Sequence, residues 1–254
     1  MFQQRFLAIA GAALLSIPVA QAGELCTAVA DAASGQVLLQ RGDCETRVTP
    51  ASTFKIAISL MGYDAGILKD AHHPEMPFRA EYVDWRESWK QPADPARWMK
   101  ESVVWYSQQV TTALGMPRLQ SYTTRFGYGN ADVGGDATHD GLTLSWIGSS
   151  LKISPLEQLA FLRKMLNRQL GLSPQAYEMT ARLLPPQQIA GGWDVSGKTG
   201  ASSGYGWYVG WAVQGKRTLV FAHLLRRDAA DPKEVSTGVL ARERLLAAFP
   251  ALVP

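Results

Sequence analysis

The chain of 254 residues holds only two cysteines and four histidines, too few for a metal-rich or disulfide-rich scaffold. The histidines (His72, His73, His139, His223) include no H-E-x-x-H pair, so no metal site is read, and adjacent His72 and His73 fall in a loop as a solvated pair. No glycine-rich phosphate loop opens a helix and no G-x-S-x-G elbow is present, which sets aside nucleotide-binding and Ser-His-Asp hydrolase readings. The 25 basic and 22 acidic side chains form no basic tract, so neither nucleic acid nor an anionic membrane is an expected partner. No stretch reaches the roughly 20 apolar residues that span a bilayer. Internal repeats and low-complexity linkers are also missing.

What is present begins with an export signal. Met1-Phe2-Gln3-Gln4-Arg5-Phe6 carries one positive charge, Leu7 to Ala20 is apolar, and Ala20-Gln21-Ala22 fits an A-x-A cleavage site. Residues 1–22 are read as a signal peptide and 23–254 as one catalytic domain of a periplasmic protein. Leu25, where a lipoprotein signal has a small residue, argues against a lipid anchor on Cys26. In an exported chain Cys26 and Cys44 favour a disulfide over two free thiols. Between them, Thr27–Ala30 and Gln36–Leu39 flank a turn at Asp31–Gly35 and predict a β-hairpin.

Strand signals gather at the two ends, with helical material between. An apolar helix is predicted from about Ser52 to Ala65 with Gly66 as its cap. An amphipathic helix spans 155–170, with Leu159, Leu162, Leu166 and Leu170 at core spacing. Four tryptophans (Trp85, Trp89, Trp98, Trp105) read as packing in a helical lobe. Tyr205–Val213 and Thr218–Ala222 predict a hairpin turning at Gln214-Gly215-Lys216, and 239–248 a closing helix. The predicted fold is α/β (α+β): an antiparallel sheet with flanking terminal helices and an inserted all-helical lobe. The sheet lobe covers about 23–70 and 185–254, the helical lobe about 71–184.

Chemistry concentrates in Ser52-Thr53-Phe54-Lys55. Residues three apart share a helix face, so the lysine amine reaches the serine hydroxyl, a poor nucleophile until an adjacent base takes its proton. The apolar Ile56–Met61 that follows predicts burial, which disfavours ammonium and lowers the lysine pKa toward that of a working base. A second Ser-x-x-Lys match, Ser149 to Lys152, is a decoy. It is followed by a capping box at Ser154-Pro155-Leu156-Glu157, so the helix starts after Lys152.

Three further motifs follow in order: Ser102-Val103-Val104, Tyr128-Gly129-Asn130 and Lys198-Thr199-Gly200. With Ser52-Thr53-Phe54-Lys55, and with Trp105-Tyr106-Ser107-Gln108, this arrangement resembles the class D (OXA-type) serine β-lactamases from about Cys26 to Arg244. Ser-x-x-Lys and Lys-Thr-Gly are shared with penicillin-binding proteins, whose middle motif differs. The resemblance implies hydrolysis of β-lactams, penicillins first, through an acyl-serine on Ser52. It implies Lys55 carboxylated by carbon dioxide or bicarbonate, as general base, with no other cofactor and no metal. Trp146 would hold the carbamate through its indole N–H, and Val104 would wall its pocket. Ser102 would carry a proton toward the lactam nitrogen with help from Lys198. Backbone N–H groups of Ser52 and Ala201 would form the oxyanion hole. Thr199 would bind the substrate carboxylate beside Gly200 and Ala201. Arg242 matches the carboxylate-binding arginine, with Arg244 as its rival. Tyr128 would shape the pocket wall and Asn130 support it. The glycine-rich stretch Ala131–Ser145 departs from many relatives and bears on one rim. The alternatives are a penicillin-binding transpeptidase or carboxypeptidase, or a β-lactam sensor domain.

Overall fold

The computed structural model describes residues 23–253; the predicted signal peptide lies outside the described residues. In chain order the elements are β1 (Glu24–Asp31), β2 (Val37–Gly42), α1 (Lys55–Asp64), α2 (Pro95–Glu101), α3 (Val104–Leu114), α4 (Met116–Phe126), β3 (Gly135–Asp136), β4 (His139–Asp140), α5 (Gly141–Leu144), α6 (Pro155–Leu166), α7 (Pro174–Arg182), β5 (Gln187–Ile189), β6 (Trp193–Ala201), β7 (Tyr205–Gln214), β8 (Arg217–Arg226) and α8 (Thr237–Leu252).

The sheet has six strands in the order β2-β1-β8-β7-β6-β5, all neighbours antiparallel. Successive side chains of a strand point to opposite faces, and β7 shows it: Trp207, Val209 and Trp211 join the core shared with the helical lobe, whereas Tyr208 and Ala212 join a second core under α8. There Phe249, Leu245 and Ala241 of α8 meet Phe221, Leu225 and Val29. A central strand covered on both faces must be apolar on both, which explains the unbroken Thr218-Leu219-Val220-Phe221-Ala222 of β8.

The chain leaves the sheet after β2 and returns at β5, and the insertion is the helical lobe. Its helices are joined by long connections, one of them bridging Met76 to Ala93, and by the short β3–β4 hairpin, which with α5 occupies most of the glycine-rich 131–145 stretch. α1 lies at the centre of the lobe, buried from Lys55 through Tyr63. The Cys26–Cys44 disulfide ties β1 to the segment entering this region.

Helix boundaries differ from the expected ones for local reasons. α6 starts at Pro155 behind the Ser154–Glu157 capping box, as predicted. It stops at Leu166, because Arg168 turns left-handed and Leu170 enters the core from a loop. α8 runs longer than the predicted 239–248. Ser236 caps it with its hydroxyl accepting from the Val239 N–H at 3.4 Å, and Gly238 and Pro250, just outside the predicted span, lie inside it.

Candidate active site

The nucleophile sits on a turn that three partners fix. Ala51–Phe54 form a 3-10 turn running directly into α1, and side chains three apart eclipse in 3-10 geometry. Lys55 Nζ therefore donates to Ser52 Oγ at 3.2 Å. The Ala51 N–H donates to the Trp146 carbonyl at 3.0 Å, Thr53 Oγ1 donates to the Pro50 carbonyl at 2.7 Å, and buried Gln158 donates to Thr53 Oγ1 at 3.0 Å. Lys55 is wholly buried and has no acidic partner among the described residues. Burial, then the charges of Lys198 and Arg86, hold its amine well below the ordinary lysine range.

β6 supplies the second lysine. Lys198 Nζ donates to Ser102 Oγ and to the Thr199 carbonyl, each at 3.0 Å; burial, then Arg86, lowers it to about 7. Ser102 terminates α2 in the left-handed region at φ 61°, uncommon for a residue with a side chain and costing about 1–2 kcal/mol. Ala51, directly before the nucleophile, is also left-handed at φ 49°. Such backbone strain persists where the surroundings over-determine it, which fits a site that must aim two hydroxyls.

Gly200 lets these pieces meet. A Cβ there would lie 2.9 Å from the Pro50 carbonyl oxygen, and one on Gly238 of α8 would lie 2.7 Å from the Gly200 oxygen. β6 is thus pressed between the serine turn and the start of α8, and neither glycine can carry a side chain.

The resulting cavity, about 460 Å³, is lined by Ser52, Ser102, Val104, Thr199, Ala201 and Arg242. Glu101, its only acidic lining residue, pairs with Arg97 at 3.3 Å. The remaining charge is cationic, which suits an anionic ligand. Arg242 donates to Gln187 Oε1. Arg244 turns away to Asp231 and Asp228, so of the two rivals it is Arg242 that borders the cavity. Trp146 is buried against Phe54, ring centroids 5.6 Å apart, and its Nε1–H has no acceptor among the described residues.

A domain profile described as the penicillin-binding-protein transpeptidase domain matches residues 25–243. The chain is similar to β-lactamase OXA-9 of Klebsiella pneumoniae, 40% identical over 90% of this chain and 88% of that one. The chain belongs to the class D β-lactamases. β-Lactamase OXA-1 of Escherichia coli is 36% identical over 77% of this chain and 73% of its own. The crystal structure of OXA-427 class D β-lactamase covers 89% of this chain and 97% of its own, at TM-score 0.83 and 42% identity.

Against the class D motifs, the structure brings Ser52, Lys55, Ser102, Val104, Lys198, Thr199, Ala201 and Arg242 to one site, with Trp146 beside it. Tyr128 does not wall the cavity: it stands behind Phe54, ring centroids 5.0 Å apart. Asn130 supports at a distance, donating to the Ser150 carbonyl at 2.8 Å and accepting from the Lys152 N–H at 2.9 Å, which secures the segment following Trp146. Lys152 of the decoy pair is exposed and non-helical. No residue of 131–145 is among those lining the cavity. Trp85, Arg86 and Trp89 do line it; the sequence offers the two tryptophans only as packing in a helical lobe and does not single out Arg86. No spacing rule marks them, because contacts with distant residues place them.

Proposed function

We propose that this chain hydrolyses β-lactam antibiotics through an acyl-serine on Ser52. The observation that carries the proposal is the Ser52–Lys55 pair: a hydroxyl 3.2 Å from a wholly buried amine without an acidic partner. A buried ammonium without a counter-charge is costly, so the amine is neutral and can accept a proton.

Lys55 takes the proton of Ser52 Oγ as that oxygen attacks the lactam carbonyl carbon. The carbonyl oxygen becomes an oxyanion and is met by the backbone N–H groups of Ser52 and Ala201. When the intermediate collapses the C–N bond breaks, and Ser102 protonates the departing nitrogen while receiving a proton from Lys198, its donor at 3.0 Å. Thr199 and Arg242 hold the substrate carboxylate, the arginine fork suiting two-point contact. Before deacylation Lys55 gives the proton it holds to solvent and Lys198 regains one from solvent. Water then attacks the acyl carbon while neutral Lys55 takes its proton, and Lys55 returns that proton to Ser52 Oγ as the ester C–O bond breaks.

The residues also fit carboxylation of Lys55. Only a neutral amine attacks carbon dioxide, and the adduct's negative charge needs a donor; the unpaired Trp146 Nε1–H is available. The adduct, when formed, supplies a carboxylate oxygen as the base in place of nitrogen.

Mass spectrometry of protein quenched after brief exposure to benzylpenicillin should find one adduct on the peptide holding Ser52, absent in Ser52→Ala. A chromogenic β-lactam should be turned over, faster with bicarbonate. Adduct on another residue, or none, refutes the assignment; an adduct that forms and is never released makes the protein a β-lactam binder or transpeptidase instead.

A further inference from the structure

The wall of the cavity contributed by the helical lobe carries a cation that the reaction above does not use. Trp89 is buried and fixed at both ends: its Nε1–H donates to the Glu101 carbonyl at 3.1 Å, and its carbonyl accepts from Trp105 Nε1 at 2.9 Å. On this fixed ring rests Arg86, its guanidinium carbon 5.6 Å from the centroid. Trp85 lies against the same ring at 6.2 Å and is 59% exposed. An aromatic face places a guanidinium without neutralising it.

The acidic neighbours are committed elsewhere. Asp84 and Glu87 pair with Lys90 at 3.4 and 3.0 Å, and Glu101 pairs with Arg97 at 3.3 Å. Among the described residues Arg86 has no ion-pair partner. Its field reaches the reacting centre, since it lowers both Lys55 and Lys198. The cleft therefore carries cations on both walls, Arg242 from α8 on one and Arg86 with Lys100 of α2 from the helical lobe on the other, and of these Arg86 is the one seated on an aromatic ring. The single carboxylate common to β-lactams satisfies the first.

We propose that Arg86, seated on Trp89 and flanked by Trp85, is a specificity-determining residue that recognises an anionic group on the acylamino side chain of the β-lactam. The favoured substrate class is penicillins with a carboxylate beside the side-chain aryl ring. The inference rests on β-lactam hydrolysis at Ser52 and adds which substituent the site selects.

The test compares kcat/KM for benzylpenicillin and its α-carboxy analogue in wild type, Arg86→Gln and Arg86→Lys. An exposed ion pair is worth up to about fivefold in affinity. The preference for the α-carboxy compound should drop by about that factor in Arg86→Gln, chiefly through KM, because the contact is present before and during reaction. Arg86→Lys should retain part of it. Added salt should erode the preference in wild type and leave Arg86→Gln unchanged. If both substrates lose rate equally, Arg86 acts on the shared carboxylate or the lysines, and the proposal is overturned; unchanged kinetics overturn it as well. Wild type that turns over neither compound and forms no adduct on Ser52 overturns the hydrolase reading along with it.

Discussion

Replacing Trp146 with phenylalanine keeps an aromatic ring against Phe54 and deletes one N–H, the donor left without an acceptor. A buried unsatisfied donor costs about 1–3 kcal/mol, and one bonded to a charged acceptor contributes about 1.5–3 kcal/mol. If that N–H holds a carboxylated Lys55, its loss weakens carbon dioxide uptake by the second figure, about 10–150-fold. The assay is NMR of the lysine adduct formed from isotope-labelled bicarbonate, with turnover of a chromogenic β-lactam measured at the same concentrations. Trp146→Phe should need about 10–150-fold more bicarbonate to half-fill the signal, and its rate should follow the signal.

A second readout separates this role from packing. In carbon dioxide-free buffer the removed N–H has no partner, so its deletion returns about 1–3 kcal/mol that offsets the packing lost with the larger ring. If the adduct forms on the folded chain alone, bicarbonate should raise the melting temperature of wild type and raise that of the variant much less. Identical bicarbonate dependence of signal, rate and melting in the two proteins would refute the reasoning and reduce Trp146 to a core residue.

Two pH experiments follow from the buried bases. Lys198 must carry a proton to donate to Ser102, and its pKa of about 7 means the free enzyme loses that proton as pH rises through neutrality. Lys55 must be neutral, so kcat/KM should fall on the acid side through its depressed pKa and on the alkaline side near Lys198. Lys198→Arg, charged at every accessible pH, should remove the alkaline limb from the profile; a limb left in place would deny Lys198 that role. His223 is buried with Nδ1 at 2.7 Å from Thr27 Oγ1. Burial, then Arg244, lowers it to about 4, below the ordinary value of about 6.5. The unfolded chain therefore binds the extra proton first. His223's stabilising share is complete above about 6.5 and is lost as pH falls toward 4, a change of about 3 kcal/mol. Denaturant titrations between those limits should show a shallower pH slope in His223→Gln, and equal slopes would assign the acid sensitivity to other groups.

What was legible in the chain followed from how local each signal is. Ser52 and Lys55 are three residues apart, so turn geometry alone brings them together. The Ser154 capping box marked the start of α6 for the same reason, and the β7–β8 hairpin was visible because alternation and a Gln214-Gly215-Lys216 turn are short-range patterns. Limits set by distant contacts were not visible. Gly238 lies outside the predicted closing helix, and its place is explained only by the Gly200 carbonyl, against which only a residue without Cβ fits. Arg86 lies in a segment without periodicity. Its place depends on Trp89, which hydrogen bonds to Glu101 and Trp105 fix.

The proposed reaction needs one lysine neutral and another charged, and the structure separates them by their surroundings. Lys198 has two oxygen acceptors at 3.0 Å, and bonds to acceptors favour an ammonium. Lys55 has one, Ser52 Oγ at 3.2 Å, inside a helix buried on all sides. With both groups buried, Lys55 is the one to give up its proton. Once it is neutral, the repulsion it exerted on Lys198 disappears and Lys198 holds its own proton more firmly, so the two titrate as a pair whose first loss protects the second. An arriving substrate carboxylate adds to that protection. In the proposed reaction the free enzyme, on the acid side of the Lys198 pKa of about 7, meets its substrate with the base at Lys55 unloaded and the acid at Lys198 loaded, an assignment set by environment, since the two side chains are chemically identical.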